Sequence, residues 1–210
     1  MKITLIQIKA LCFSAVILCS CARSYRPVLV GNLNYESSAN WENVEMRYKY
    51  DVLRQSGNKK YAKKEIAKNI RVIAVQFTNM SDRPVNFSED VVIYSGSRII
   101  IPLPPELAKK GLKQIAPLHL LWCLLWVNIS TCDGYDCSST LLPVGPAIGL
   151  FNMLKASGAN KNLLAELTRY NMLNKTIDPG ETLNGLITIA AESGQALQIR
   201  LKDSDFSGKQ

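Results

Sequence analysis

Histidine is almost missing: His119 is the only one, and its neighbours are apolar. A zinc site needing four nitrogen or sulfur ligands, or a histidine acting as general base, has almost nothing to draw on. No serine sits in a nucleophile-elbow pattern, no glycine-rich phosphate loop occurs, and no Cys–His pairing falls outside the apolar stretch. Asp133 and Asp136 are two carboxylates in a six-residue loop, too few oxygens for calcium, and read as a solvated turn. The chain is expected not to be an enzyme and to need no cofactor or metal. Also lacking is a run of about 20 apolar residues, so no segment predicts a bilayer-spanning helix.

What is present is 210 residues with 47% apolar and 20% charged content, which suits one globular domain with an embellishment and excludes a disordered tail or a fibrous repeat. The formal charge is +8. Lys2 and Lys9 precede a short apolar run, residues 10–18, that has the size of an export-signal core and is expected to be removed. The mature chain then carries about +6.

The run closes on Leu18-Cys19-Ser20-Cys21. This resembles the lipobox of bacterial lipoproteins, with Leu at minus three, a small residue at minus one, and a Cys that becomes the lipid-carrying N-terminus; Cys19 departs from the residue type usual at minus two. The resemblance implies an acyl-carrying Cys21, a bacterial envelope location and, because Ala22 rather than Asp follows, sorting to the outer membrane. The partner it implies is the membrane, reached through lipid on Cys21, and nucleic acid is not expected for an exported chain. An ordinary secretory signal or an uncleaved anchor is the alternative reading of the same residues.

Three cysteines remain in the mature body. Cys132 and Cys137 bracket Asp133-Gly134-Tyr135-Asp136, a turn-rich loop that a disulfide can close for about 2 kcal/mol of chain entropy. Cys123 lies in an apolar run and reads as a small buried hydrophobe.

Residues 21–43 have the Ser, Asn and Gly content of a tether, one that places the body roughly 25 Å from the lipid. From Val44 apolar and polar residues alternate through Leu53, the period of a half-buried strand. Residues 58–69 hold five lysines and read as a polar hairpin end or an edge that resists pairing. Together with Arg47, Lys49, Arg54 and Arg71 they predict a positive flank, either merely solvated or facing anionic lipid or polysaccharide. Further strands are expected over 70–78, 85–94, 98–103, 182–190 and 196–202, with turns at 79–84, 95–97 and 178–181. About seven strands with such turn spacing predict a mainly β fold, an immunoglobulin-like sandwich. Residues 72–85 and 177–187 are similar to strands and turns of extracytoplasmic immunoglobulin-like domains in bacterial lipoproteins. That resemblance implies a fold and no chemistry.

The expected layout is a signal over 1–20, a tether over 21–43, sandwich strands over 44–104, a helical hydrophobic insertion over 105–175, closing strands over 176–204 and a tail. In the insertion, residues 115–127 are apolar except His119, residues 140–154 are apolar but broken by Pro143, Gly145, Pro146 and Gly149, and a polar loop over 128–139 joins them. Residues 160–174 have the apolar period of a helix. Leu118, Leu121, Trp122, Leu125 and Trp126 are the candidate contact residues. Three surfaces can cover them: the domain's own core with the helix, a lipid layer, or a second envelope protein. The function these features imply is a lipid-anchored, non-catalytic envelope protein. The alternative is a carrier for a lipid-like apolar ligand.

Overall fold

The computed structural model describes residues 22–133, 136–192 and 194–202. The expected signal, Cys21 and the C-terminal tail lie outside the described residues. Strand and helix each account for 34% of the described residues, and the strands form several antiparallel sheets without a barrel. The described residues divide into two compact units, one of residues 22–24 with 114–159, the other of residues 25–113 with 160–202. The second is the β body, the first the apolar unit.

In the β body, β1 (Ser37–Trp41), β2 (Val44–Lys49), β3 (Ile70–Asn79) and β10 (Thr182–Ala190) form an antiparallel sheet in that order. A second sheet runs β11 (Leu197–Leu201), β5 (Val91–Ser95), β6 (Arg98–Ile100), and the short β4 (Val85–Asn86) pairs with β9 (Thr176–Ile177). The alternation read in the sequence is realised in β2, where Val44, Met46 and Tyr48 are buried. They share one core with Ile73, Val75 and Phe77 of β3 and with Ile93 and Ile199 of the second sheet. Phe77 and Phe87 meet edge to face at 5.5 Å.

The turn after β3 is organised by Asn79, which is fully buried. Its Nδ2 donates to the carbonyls of Arg83 and Ile177 (2.8 and 2.9 Å), and its Oδ1 accepts from the backbone N–H and hydroxyl of Ser81 (3.0 and 2.6 Å). A buried amide that satisfies both ends is stabilising, whereas one left unpaired is costly.

Three expectations for the body are corrected. The strand expected through Leu53 ends at Lys49, because Asp51 adopts a left-handed conformation (φ 56°) and starts the short helix α1 (Val52–Gln55). Residues 58–69 are no hairpin end but a helix, α2 (Lys59–Lys68): Lys, Ala and Glu are good helix formers, and Asn69 closes it in the left-handed conformation at φ 51°. The tether is not free chain, since Tyr25, Val28 and Val30 are buried and β1 falls within it. The N–H groups of Arg26 and Val28, which have no strand beside them, donate instead to Asn58 Oδ1 (2.9 Å) and Glu166 Oε1 (2.5 Å).

Glu65 of α2 plays the same part for the sheet. β2 pairs with β3 only from Ala74 onward, which leaves the first residues of β3 without a neighbour on that side. The N–H of Val72 donates to Glu65 Oε1 at 2.7 Å. Burial pushes the Glu65 carboxyl up to about 7, against the opposing pull of the Val72 hydrogen bond and the Arg71 charge.

The expected helical insertion is only partly helical. It holds α3 (Pro105–Leu112), a 3₁₀ helix (Ala116–Leu124), a β-hairpin of β7 (Val127–Asp133) and β8 (Asp136–Leu142), and a long helix α4 (Val144–Arg169). The stretch read as a polar loop is thus two strands. Its Ser and Thr residues alternate across a pleat and have no apolar period that would have revealed it.

Candidate functional site

The apolar unit is built by close backbone approach. Pro117 opens the 3₁₀ helix, and Pro143 precedes α4 and marks its start. A Cβ at Gly145 would lie 1.9 Å from the Trp122 carbonyl oxygen and 2.6 Å from that of Leu125; one at Gly149 would lie 2.9 Å from the His119 carbonyl oxygen. Only glycine admits the 3₁₀ helix here, and the Gly145 N–H donates to the Leu125 carbonyl at 3.0 Å. Gly145, Gly149, Asn152, Ala156 and Ala159 therefore form a buried stripe of small residues along the first part of α4.

Large apolar side chains take the opposite face. Ala147, Leu150, Phe151 and Leu154, at i, i+3, i+4 and i+7, are exposed. From Lys161 onward the exposed positions of the same helix are Lys161, Asn162, Ala165, Thr168 and Arg169, an ordinary water-facing set. Lys155 sits at the changeover, its Nζ 5.7 Å from the Phe151 ring.

The 3₁₀ helix repeats the inversion. With three residues per turn, Leu118, Leu121 and Leu124 eclipse one another along one row, and all are exposed, Leu124 by 78%. Of the predicted contact residues, Leu118, Leu121 and Trp126 are exposed and Trp122 and Leu125 half-buried. Cys123 is half-buried rather than buried, with a free thiol. The hairpin adds Val127, Ile129, Leu141 and Leu142 at its base, all exposed, with Ser and Thr toward its tip. Cys137 is disulfide-bonded, and Cys132 stands opposite it in the register.

Most of the large apolar side chains exposed among the described residues thus lie between Ile115 and Leu154. The others, Leu29, Ile66, Met80, Ile99, Ile101 and Leu107, are spread over the β body. Sequence reasoning found the 3₁₀ row's first members but missed Leu124, Leu150, Phe151 and Leu154. The signal that marks them is the same helical period that ordinarily marks a core-facing stripe, so pattern alone assigns them the wrong side.

Residues 22–24 belong to this unit. The N–H of Ala22 donates to Asn152 Oδ1 on α4 (3.0 Å), and Gln114 Nε2 donates to the Arg23 carbonyl (2.9 Å). Ala22 is buried.

In the body, a groove of about 330 Å³ is lined by Ser95, Arg98, Glu192 and Gln195 among others, and the Ser95 hydroxyl faces Gln195 Oε1 at 3.0 Å rather than a base. Among the described residues no group of three His, Cys, Asp or Glu side chains gathers around a metal position, and no helix is long and apolar enough to cross a membrane. No known protein family, curated protein or solved structure matches the chain.

Proposed function

We propose that the protein is a lipid-anchored, non-catalytic component of a bacterial envelope, whose apolar unit enters the outer part of the same bilayer that receives the acyl chains of Cys21. The carrying observation is the inverted packing of the apolar unit, with glycine and alanine inside and leucine, phenylalanine and tryptophan outside. In water this arrangement exposes a large apolar surface for no return; in lipid it is the economical one, because close helix contact there rests on small residues. Trp126 suits the boundary between headgroups and acyl chains. An interfacial seat, not a span, fits the lengths of these elements.

Attachment supports the same reading. Ala22, next in the chain to Cys21, is held on α4 within the apolar unit, so lipid on Cys21 and the apolar surface belong together. The carrier alternative has less support, since the side chains that would line an apolar pocket face outward.

For the β body the finer reading is an immunoglobulin-like sandwich. The pairings β2–β3–β10 and β5–β11 correspond to the A–B–E and C–F pairings of that fold, and side chains from both sheets enter one core.

Two measurements test the functional proposal. Metabolic labelling with a fatty-acid analogue is expected to mark the protein and to be lost in Cys21→Ala. The acyl-free chain beginning at Ala22 is expected to bind neutral vesicles, and the combined Leu121→Gln, Leu124→Gln and Phe151→Gln variant to bind about a hundredfold less, at about 1 kcal/mol for each half-inserted side chain. These positions are exposed, so the fold should survive. Failure of the acyl-free chain to bind, or equal binding by the variant, contradicts the proposal.

A further inference from the structure

Helices α2 and α3 lie side by side in the β body. The ammonium of Lys64 on α2 donates to the carbonyl of Lys113 at the end of α3, and a Cβ at Gly111 of α3 would come within 2.3 Å of Cδ1 of Ile70, where β3 starts just after α2. Two segments some forty residues apart thereby pool their charge. The five lysines of α2 meet Lys109, Lys110 and Lys113, against only two glutamates, Glu65 and Glu106. Glu65 is buried and turned to Val72, and Glu106 sits in the first turn of α3, at the other end from the lysines. Burial, followed by the charges of Lys68 and Lys113, holds the Lys64 ammonium below its ordinary range.

Helix stability accounts for only part of this. Lys68, Lys109 and Lys110 lie in last turns, where cations complement the helix dipole. Lys59 opens α2, where the dipole disfavours a cation and the first turn holds no acidic residue. Solubility would be served as well by mixed charge, without concentrating one sign on two packed helices.

We infer that the α2–α3 face is a docking surface for the phosphate-bearing headgroups of an anionic membrane. Charge complementarity selects the partner's sign, and the choice of a membrane over another polyanion rests on the function proposed above. Each lysine near such a surface contributes about fivefold in affinity. Lys68, Lys110 and Lys113 are exposed and together contribute about a hundredfold.

The test uses the lipidated protein extracted from membranes and reconstituted in nanodiscs of phosphatidylcholine alone or with phosphatidylglycerol. Acetylation rates of Lys68, Lys110 and Lys113 are read by mass spectrometry relative to Lys175 and Lys202. Expected is at least fivefold protection in anionic discs at low salt, lost at about 1 M salt, where the screening length falls to about 3 Å. Flotation of the acyl-free chain should show the companion effect, with Lys68→Gln/Lys110→Gln/Lys113→Gln abolishing the preference for anionic vesicles. Equal acetylation in both disc types overturns the inference, as does protection by soluble polyphosphate without protection in anionic discs. Binding to neutral vesicles is read separately, so the apolar contact can stand while this inference falls, and the reverse.

Discussion

Replacing Glu65 by Gln tests whether a buried carboxyl, chosen as a hydrogen-bond acceptor for an unpaired strand end, costs stability at neutral pH. The side chain is buried, and its Oε1 takes the Val72 N–H. Burial is the main cause of its upward displacement from 4.5 to about 7; the nearby Asp51 charge adds to it, while the Val72 bond and Arg71 oppose it. A carboxyl whose folded value is raised favours the fold when protonated. Its contribution is fully present below about 4.5 and is lost as pH rises through about 7. At about 1.4 kcal/mol per pH unit, the interval corresponds to about 3 kcal/mol. Glutamine keeps the acceptor and cannot ionise. Urea unfolding of the acyl-free chain, followed by Trp41 fluorescence at pH 5, 6, 7 and 8, should show the Gln variant gaining on the parent as pH rises. The gap should approach about 3 kcal/mol at pH 8. A gap that stays constant across this range refutes the reasoning.

Asn79→Ala should destabilise the body by about 2–4 kcal/mol, since it strands the Ser81 N–H and two carbonyls of the buried turn; thermal unfolding reads it, and a loss below about 1 kcal/mol contradicts the role given to Asn79. In α4, Gly145→Ala should disrupt the apolar unit, because its Cβ meets the Trp122 carbonyl oxygen at 1.9 Å. Amide exchange should accelerate over residues 116–126 and remain unchanged in β3 and β10. Gly158→Ala is the contrast: nothing lies within 4 Å of its Cβ, so the helix should gain roughly 0.5–1 kcal/mol of local stability.

The sheet was legible because its strands obey simple rules. Val44 to Lys49 alternate, and the β-branched run from Ile70 and the turn at Asp178-Pro179-Gly180 mark β3 and the start of β10. What escaped notice depended on tertiary partners. Asp51 and Asn69 turn the chain in left-handed conformations that no local pattern demands, and the lysine run of α2 hid good helix formers behind its charge. Residues 25–30 looked like a tether because the acceptors of their N–H groups, Asn58 and Glu166, lie far along the chain. In the apolar unit, composition singled out the stretch that holds most of the exposed large apolar side chains, Leu118, Leu121 and Trp126 among them. It did not reveal orientation, because a stripe at 147, 150, 151 and 154 has one period whether it faces a core or faces outward. Only the glycines opposite it, held against the 3₁₀ helix backbone, decide the side.

The most direct measurement is the depth of Trp126. With Trp41→Phe and Trp122→Phe it becomes the sole tryptophan, and brominated phospholipids then report contact with acyl chains. Insertion of the apolar unit predicts a blue-shifted emission on adding neutral vesicles and strong quenching by lipids brominated in the upper acyl chain. Emission that stays at its value in water, with no quenching at vesicle concentrations that bind the protein, contradicts the account.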